Sequence, residues 1–303
     1  MRVLIVVVLL AAAVAVAARL ASAGSSVHAA RQLQVVAAED VWGSIAAQLG
    51  GDRVRVTSIV SNPAADPHDY EPTALDARAL AEARFVIANG AGYDAWVPKL
   101  LAANPVSGRL VLSVGDLVGV PAGGNPHLWY SPRDVHLAVA AITRDYQRLD
   151  PRDAAFFAAR KARFERSGLH AYTAALARVR RRFAGTRVGA SESIFVPLAR
   201  ALGLDLVTPP AFLRAVGEGA EPTARDVATI DRQIASHRIR VWVENSQNGT
   251  PDVQRLTAAA RAHDIPVTTI TETPAPADAS FQAWQVVQLR RLEDALARGR
   301  AGR

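Results

Sequence analysis

The 303-residue chain contains no cysteine. Disulfides, thiolate-held metals, iron–sulfur clusters and cysteine nucleophiles are therefore excluded together. Any metal here has to be held by histidine nitrogen and carboxylate oxygen. A long basic run is also missing. The formal net charge is +7, but the arginines that carry it are dispersed and aromatics are not interleaved with them. The densest cluster, Arg178, Arg180, Arg181 and Arg182, reads as the solvated end of a helix rather than a nucleic-acid or membrane-surface patch. No nucleic-acid partner is expected. Catalytic signatures are absent as well: there is no HExxH, no GxSxG, no phosphate loop and no GxGxxG. Neither an enzyme nor an organic cofactor is expected on these grounds.

Half of the residues are hydrophobic, enough for two cored domains of ordinary size or one large one. The first residues read as a secretory signal, 1–23: Arg2 supplies the positive end, Val3 to Ala18 is unbroken apolar sequence, and Ala21-Ser22-Ala23 fits small-x-small cleavage. A retained membrane anchor is the alternative, although Val3–Ala18 falls short of the roughly 20 residues that span a bilayer. No lipid-accepting cysteine follows the apolar run, and no later segment is apolar enough to span. The expected product is exported, periplasmic or extracytoplasmic, soluble after cleavage, and a monomer.

Two stretches repeat one design. Glu71-Pro72-Thr73-Ala74-Leu75-Asp76 in the first half matches Glu221-Pro222-Thr223-Ala224-Arg225-Asp226 in the second. In both, Thr with Asp three residues on resembles a helix-capping signature. Each opens an amphipathic helix, Ala74 to Ala83 and Ala224 to Ser236, and each helix is followed by a buried-strand run, Phe85–Ala88 and Val241–Val243. Upstream, Val35–Glu39 with a helix ending Leu49-Gly50 corresponds to Val188–Glu192 with a helix ending Leu202-Gly203. Strands alternating with helices imply parallel sheets covered on both faces. The expected fold is α/β, with two parallel-sheet lobes (33–150 and 183–303) joined by one long connecting helix (151–182). The connector starts at Asp150-Pro151 and runs to Arg182 with no further proline and a single glycine, Gly168. Phe156, Phe157, Phe164, Tyr172, Leu176 and Val179 recur at roughly helical spacing. At 1.5 Å per residue such a helix is about 45 Å long, and Gly168 is the place for a bend.

Ligands of open α/β sheets bind at the carboxyl ends of strands, so a site is expected between the lobes. His68 follows the strand Val54–Val60 in a loop stiffened by Pro67 and Pro72, and His127 follows Pro126 after a glycine-containing loop. Taken alone, each could be an ordinary surface histidine. Glu192 ends the strand Arg187–Ala190 and opens a helix, where a carboxylate also gains from the helix dipole. Its counterpart Glu39 shows that position alone does not make a ligand. Asp278 precedes the final helix as a ligand or as its cap, with Glu272 the rival carboxylate and Glu244 a weaker one. The histidines at 136, 170, 237 and 263 read as structural, and His28 as part of a disordered N-terminus.

At these positions the chain resembles the metal-binding solute-binding proteins of zinc and manganese ABC importers. Pro67-His68-Asp69-Tyr70-Glu71-Pro72 is similar to that family's first-histidine loop, and Asn125-Pro126-His127-Leu128-Trp129 to its second. Ser191-Glu192 with Phe195 and Leu202-Gly203-Leu204 resembles the third motif, and Glu221-Pro222-Thr223 with Val243-Glu244-Asn245 the segment before the fourth ligand. The resemblance runs from about Val35 to Leu289. It implies a ligand set of His68, His127, Glu192 and Asp278, closing on Zn²⁺ or Mn²⁺ for delivery to an ABC permease. Two departures stand out: the match around Asp278 is loose, and the stretch Val118–Gly124 lacks the His/Asp/Glu-rich loop of many zinc-importing members. A secreted metal-dependent hydrolase and a binding protein for an organic solute are the alternatives. The short ligand loops promise little of the large pocket the latter requires.

Overall fold

The computed structural model describes residues 32–63 and 67–301. The expected signal peptide and His28 lie outside the described residues. One sheet is built from β1 (Leu33–Glu39), β2 (Val54–Val60), β3 (Phe85–Ala88) and β4 (Leu110–Ser113), in the order β2-β1-β3-β4. The other is built from β5 (Arg187–Ala190), β6 (Asp205–Leu206), β7 (Trp242–Asn245) and β8 (Val267–Ile270), in the order β6-β5-β7-β8. Counted within each lobe, the two orders are the same, and every pairing is parallel. The repeated sequence design therefore encodes a repeated topology. Phe85, Val86, Ile87 and Ala88 are all buried, as a parallel strand covered by helices on both faces requires.

The first lobe's helices are α1 (Asp40–Gly50), α2 (Ala74–Glu82), α3 (Trp96–Ala103), α4 (Val114–Val118) and α5 (Pro132–Leu149). The capping signature at α2 forms in full. The Thr73 hydroxyl accepts from the Asp76 backbone N–H at 3.4 Å, and the Asp76 carboxylate accepts the Thr73 N–H at 2.7 Å. Its second copy opens the helix Ala224–Ala235: the Asp226 N–H donates to the Thr223 hydroxyl at 3.2 Å, and that hydroxyl donates to the Asp226 carboxylate at 2.8 Å.

The connector begins one turn later than its proline. Pro151–Asp153 form a 3₁₀ turn, and α6 (Ala154–Arg163) passes through a π-turn at Phe164–Gly168 into α7 (His170–Phe183). The Leu169 N–H reaches back five residues to the Phe164 carbonyl at 2.8 Å, so the irregularity falls at Gly168. Phe157, Phe164, Tyr172 and Val179 face inward along this run. At its far end Arg178 and Arg182 both pair with Glu293 of the last helix. Two members of the arginine cluster therefore fasten helices together, while Arg180 and Arg181 remain exposed.

The second lobe adds α8 (Val196–Leu202), α9 (Pro210–Gly217), α10 (Ala224–Ala235), α11 (Pro251–Ala262) and α12 (Phe281–Ala301). The start of α12 reaches back to the first lobe. The Phe281 N–H donates to the Ser44 hydroxyl at 2.9 Å, and Gln282 and Gln48 exchange amide hydrogen bonds at 2.6 and 3.1 Å. One continuous apolar core, from Val35 through Phe157 and Tyr172 to Leu296, runs through both lobes and the connector. Each large side chain buried in it is worth about 1.5–3 kcal/mol. Two crossings and a shared core make wide separation of the lobes costly. Among the described residues, no helix is long and apolar enough to cross a membrane.

Candidate metal centre

Four side chains converge between the lobes: His68, His127, Glu192 and Glu272. His68 sits on a 3₁₀ turn (Pro67–Asp69) after β2. His127 opens another 3₁₀ turn (Leu128–Tyr130). Glu192 lies two residues past the end of β5, and Glu272 two residues past the end of β8. Each lobe thus contributes two side chains, from the carboxyl-end side of its sheet. One donor atom from each of the four lies within 4.8 Å of the others. His127 Nε2 is 3.4 Å from Glu192 Oε1 and 3.6 Å from Glu272 Oε2, and His68 Nε2 is 3.4 Å from Glu272 Oε2. His127, Glu192 and Glu272 are buried, and only His68 keeps a quarter of its side chain (24%) in contact with solvent.

A surrounding network fixes the donors. Asn125 Oδ1 lies 2.9 Å from His127 Nδ1 and accepts the His127 backbone N–H at 3.0 Å. A proton on Nδ1 leaves the Nε2 lone pair facing the cluster. The Asn125 amide donates across the cleft to the Ser193 carbonyl at 2.7 Å. Asn245, wholly buried, donates through Nδ2 to Glu192 Oε2 at 2.5 Å and to Glu272 Oε1 at 2.9 Å. One amide therefore holds both carboxylates and leaves their other oxygens to the cluster. Tyr93 Oη donates to Glu272 Oε2 at 2.6 Å, again across the cleft. The Gln247 amide oxygen accepts the Glu272 N–H at 2.6 Å and sets the backbone of that turn. His68 meets Tyr93 edge-on at 4.9 Å between ring centroids, and His127 meets Trp129 at 5.5 Å. Gly217 is needed at the end of α9: a Cβ there would stand 2.8 Å from Ser193 Oγ and 3.3 Å from Glu192 Oε1.

The electrostatics follow from burial. Desolvation pushes the Glu192 carboxyl above its usual range, and Glu272 beside it adds to the effect, while the neighbouring imidazoles pull the other way. Burial also acts to raise Glu272, but the two imidazoles next to it outweigh that and hold it below the usual range. Glu39 lies at the equivalent place in the first lobe. Burial, Asp94 and Asp40 push its carboxyl far up, and burial alone lifts Asp40 to about 7. Asp94 in turn accepts the Asn89 and Gly90 N–H groups at 2.6 and 2.9 Å. Asn89 donates to the Pro126 carbonyl at 2.9 Å and so supports the loop that carries His127.

The structure brings together three of the four residues expected from the sequence and places the fourth elsewhere. Asp278 is exposed on the turn before α12 and is not part of the cluster. It does not cap that helix either, because the Ser280 hydroxyl accepts the Ala283 N–H at 3.3 Å. Glu272 stands in its place because it leaves β8 at the cleft, just as Glu192 leaves β5. Glu244 is drawn away toward Arg261 at 3.7 Å. His136 and His170 lie on helices, and His237 and His263 pack edge-on at 6.1 Å, all apart from the cleft. A cavity of about 910 Å³ opens beside His68, larger than the short loops suggest.

The family model for the zinc-uptake complex component A, periplasmic (ZnuA), matches residues 35–295. The metal ABC transporter substrate-binding lipoprotein FimA of Streptococcus parasanguinis is 25% identical over 269 residues, covering 81% of this chain and 82% of that one. The manganese ABC transporter substrate-binding lipoprotein PsaA of Streptococcus pneumoniae is 24% identical over 266 residues, 80% of each. The Cd-bound periplasmic metal binding protein of Candidatus Liberibacter asiaticus shares the fold, with a TM-score of 0.72 at 18% identity over 88% of this chain and 100% of that one. With two matching parallel-sheet lobes and a family match spanning nearly all of the described residues, this chain belongs to the family of periplasmic zinc-uptake components.

Proposed function

We propose that this protein captures a divalent transition metal, Zn²⁺ or Mn²⁺, outside the cytoplasm and hands it to an ABC permease. The ion is cargo, held by His68, His127, Glu192 and Glu272. The donor spacing carries this reading. Nitrogen–oxygen separations of 3.4, 3.4 and 3.6 Å are too long for good hydrogen bonds. They match the edges of a tetrahedron with metal–ligand bonds of about 2.1–2.2 Å. His127 Nε2 and Glu192 Oε1 are buried with no hydrogen-bond partner, although most such atoms in folded proteins have one. Two neutral imidazoles and two carboxylates balance a divalent charge, and mixed nitrogen and oxygen donors suit Zn²⁺ while tolerating Mn²⁺.

Binding joins Glu192 and Glu272 of the segment 183–303 to His68 and His127 of 33–150. It so adds to the closure already made by Asn125, Tyr93 and α12. The permease would recognise that closed form. Residues 1–23 direct export, and the protein works as a monomer. Four protein donors leave a tetrahedral ion no position for an attacking water, which favours a carrier over a hydrolase.

The test is zinc titration of the purified protein beside a His68→Ala/His127→Ala double variant. The wild type should take up one equivalent and the variant should lose most of its affinity. An unchanged titration in the variant would remove the basis for this reading.

A further inference from the structure

A bare cation needs very little room, yet the cleft beside His68 holds a cavity of about 910 Å³. Pockets of roughly 300–1,000 Å³ take organic ligands. The wall on the second-lobe side is mostly aliphatic: Val196, Ala199, Leu204, Leu206 and Leu213 line it, from α8, the β6 segment and α9. Arg200 of α8 and Arg214 of α9 also line it, both exposed. Among the described residues neither guanidinium has a carboxylate or hydrogen-bond partner, unlike Arg255 of the same lobe and Arg178 and Arg182 of the connector. Among the described residues, Glu218 is the one acidic residue that lines the second-lobe side, against these two arginines. None of these C-terminal-lobe residues belongs to the cation cluster.

We propose that this cavity binds a small apolar organic anion. Its hydrocarbon part would lie against the leucine and valine wall, and its carboxylate would pair with Arg200 and Arg214. Apolar burial supplies the attraction, and the guanidiniums, which bond carboxylates through paired N–H groups, select the charge. His68 lines the same cavity and is the one member of the cluster that keeps contact with solvent. An anion seated here would therefore cover the solvent-facing side of the cation site. The cavity's own lining carries the proposal, independently of the cation reading.

The test is calorimetric titration of the purified, chelator-treated protein with octanoate, and with octylammonium as a size-matched cation. Octanoate should bind saturably, one per chain, at least tenfold tighter than octylammonium. An Arg200→Glu/Arg214→Glu variant should reverse that preference, and Val196→Trp, which fills the cavity, should weaken both ligands. Zinc titration of the same samples reports the fold and keeps the two readings apart. Loss of octanoate binding in Val196→Trp with zinc uptake intact supports the cavity, whereas octanoate binding without zinc uptake overturns only the cation reading. No saturable octanoate binding by a protein that takes up zinc, equal affinity for the two probes, or an unaltered preference in the charge-reversal variant would overturn the proposal.

Discussion

Replacing Glu272 by glutamine removes one negative charge from the cluster and keeps the shape of the side chain. Glu272 Oε2 lies 3.4 Å from one imidazole nitrogen and 3.6 Å from the other, so it touches more of the cluster than any other carboxylate oxygen. Removing a group that merely orients a ligand commonly costs 10–100-fold in metal affinity. A direct ligand should exceed that, so Glu272→Gln should lose more than 100-fold, or about 3 kcal/mol and upward. Asp278→Asn is the matched control. That side chain is exposed and outside the cluster, and its loss should change affinity by less than about twofold, as for ordinary surface substitutions. Competition for zinc against a chromophoric chelator covers this range. If Glu272→Gln stays within threefold of wild type, or if Asp278→Asn loses as much, the ligand set is misassigned.

Other consequences follow from the surrounding groups. Asn245→Leu leaves both carboxylates without their shared donor and should weaken zinc binding by about 10–100-fold; unchanged affinity would show that the amide does not position them. Because burial raises Glu192, its proton must leave before it can ligate, so zinc affinity should fall as pH is lowered, with more protons released per zinc. Calorimetry in buffers of different ionisation heat measures that release, and a flat profile would contradict it. The folded Asp40 carboxyl keeps its proton to about 7, against a usual value of 3.8. The native state thus binds more protons between those values, and stability falls as pH rises through that window. Asp40→Asn should remove this loss, raising stability at pH 8 by on the order of 2–4 kcal/mol with little effect near pH 4. Equal thermal shifts at both pH values would refute the assignment.

Much of this was readable in the residues because local signals and global fold agree. Thr73 with Asp76, and Thr223 with Asp226, announce helix starts that are then made by those same side chains. The buried runs after them become β3 and β7. His68, His127 and Glu192 stand out through proline-stiffened loops and strand ends. The fourth position was harder. Family register points to Asp278, whereas the chain leaves β8 so soon into the cleft that Glu272 arrives first. The rule that singles out Glu192, a carboxylate just past a parallel strand, also singles out Glu272, and that was the signal to follow. The Asn245 bridge, the crossings by Asn125 and Tyr93, and the large cavity depend on how the lobes meet. Spacing within either half does not encode that meeting.

The most direct test of a cation held from both lobes is an anomalous difference map, recorded at the zinc edge, from crystals grown with one equivalent of Zn²⁺. A single peak is expected, bonded at about 2.0–2.2 Å to the nitrogens of His68 and His127 and to one oxygen each of Glu192 and Glu272. A peak coordinated by one lobe alone, or one away from these four side chains, would contradict the assignment.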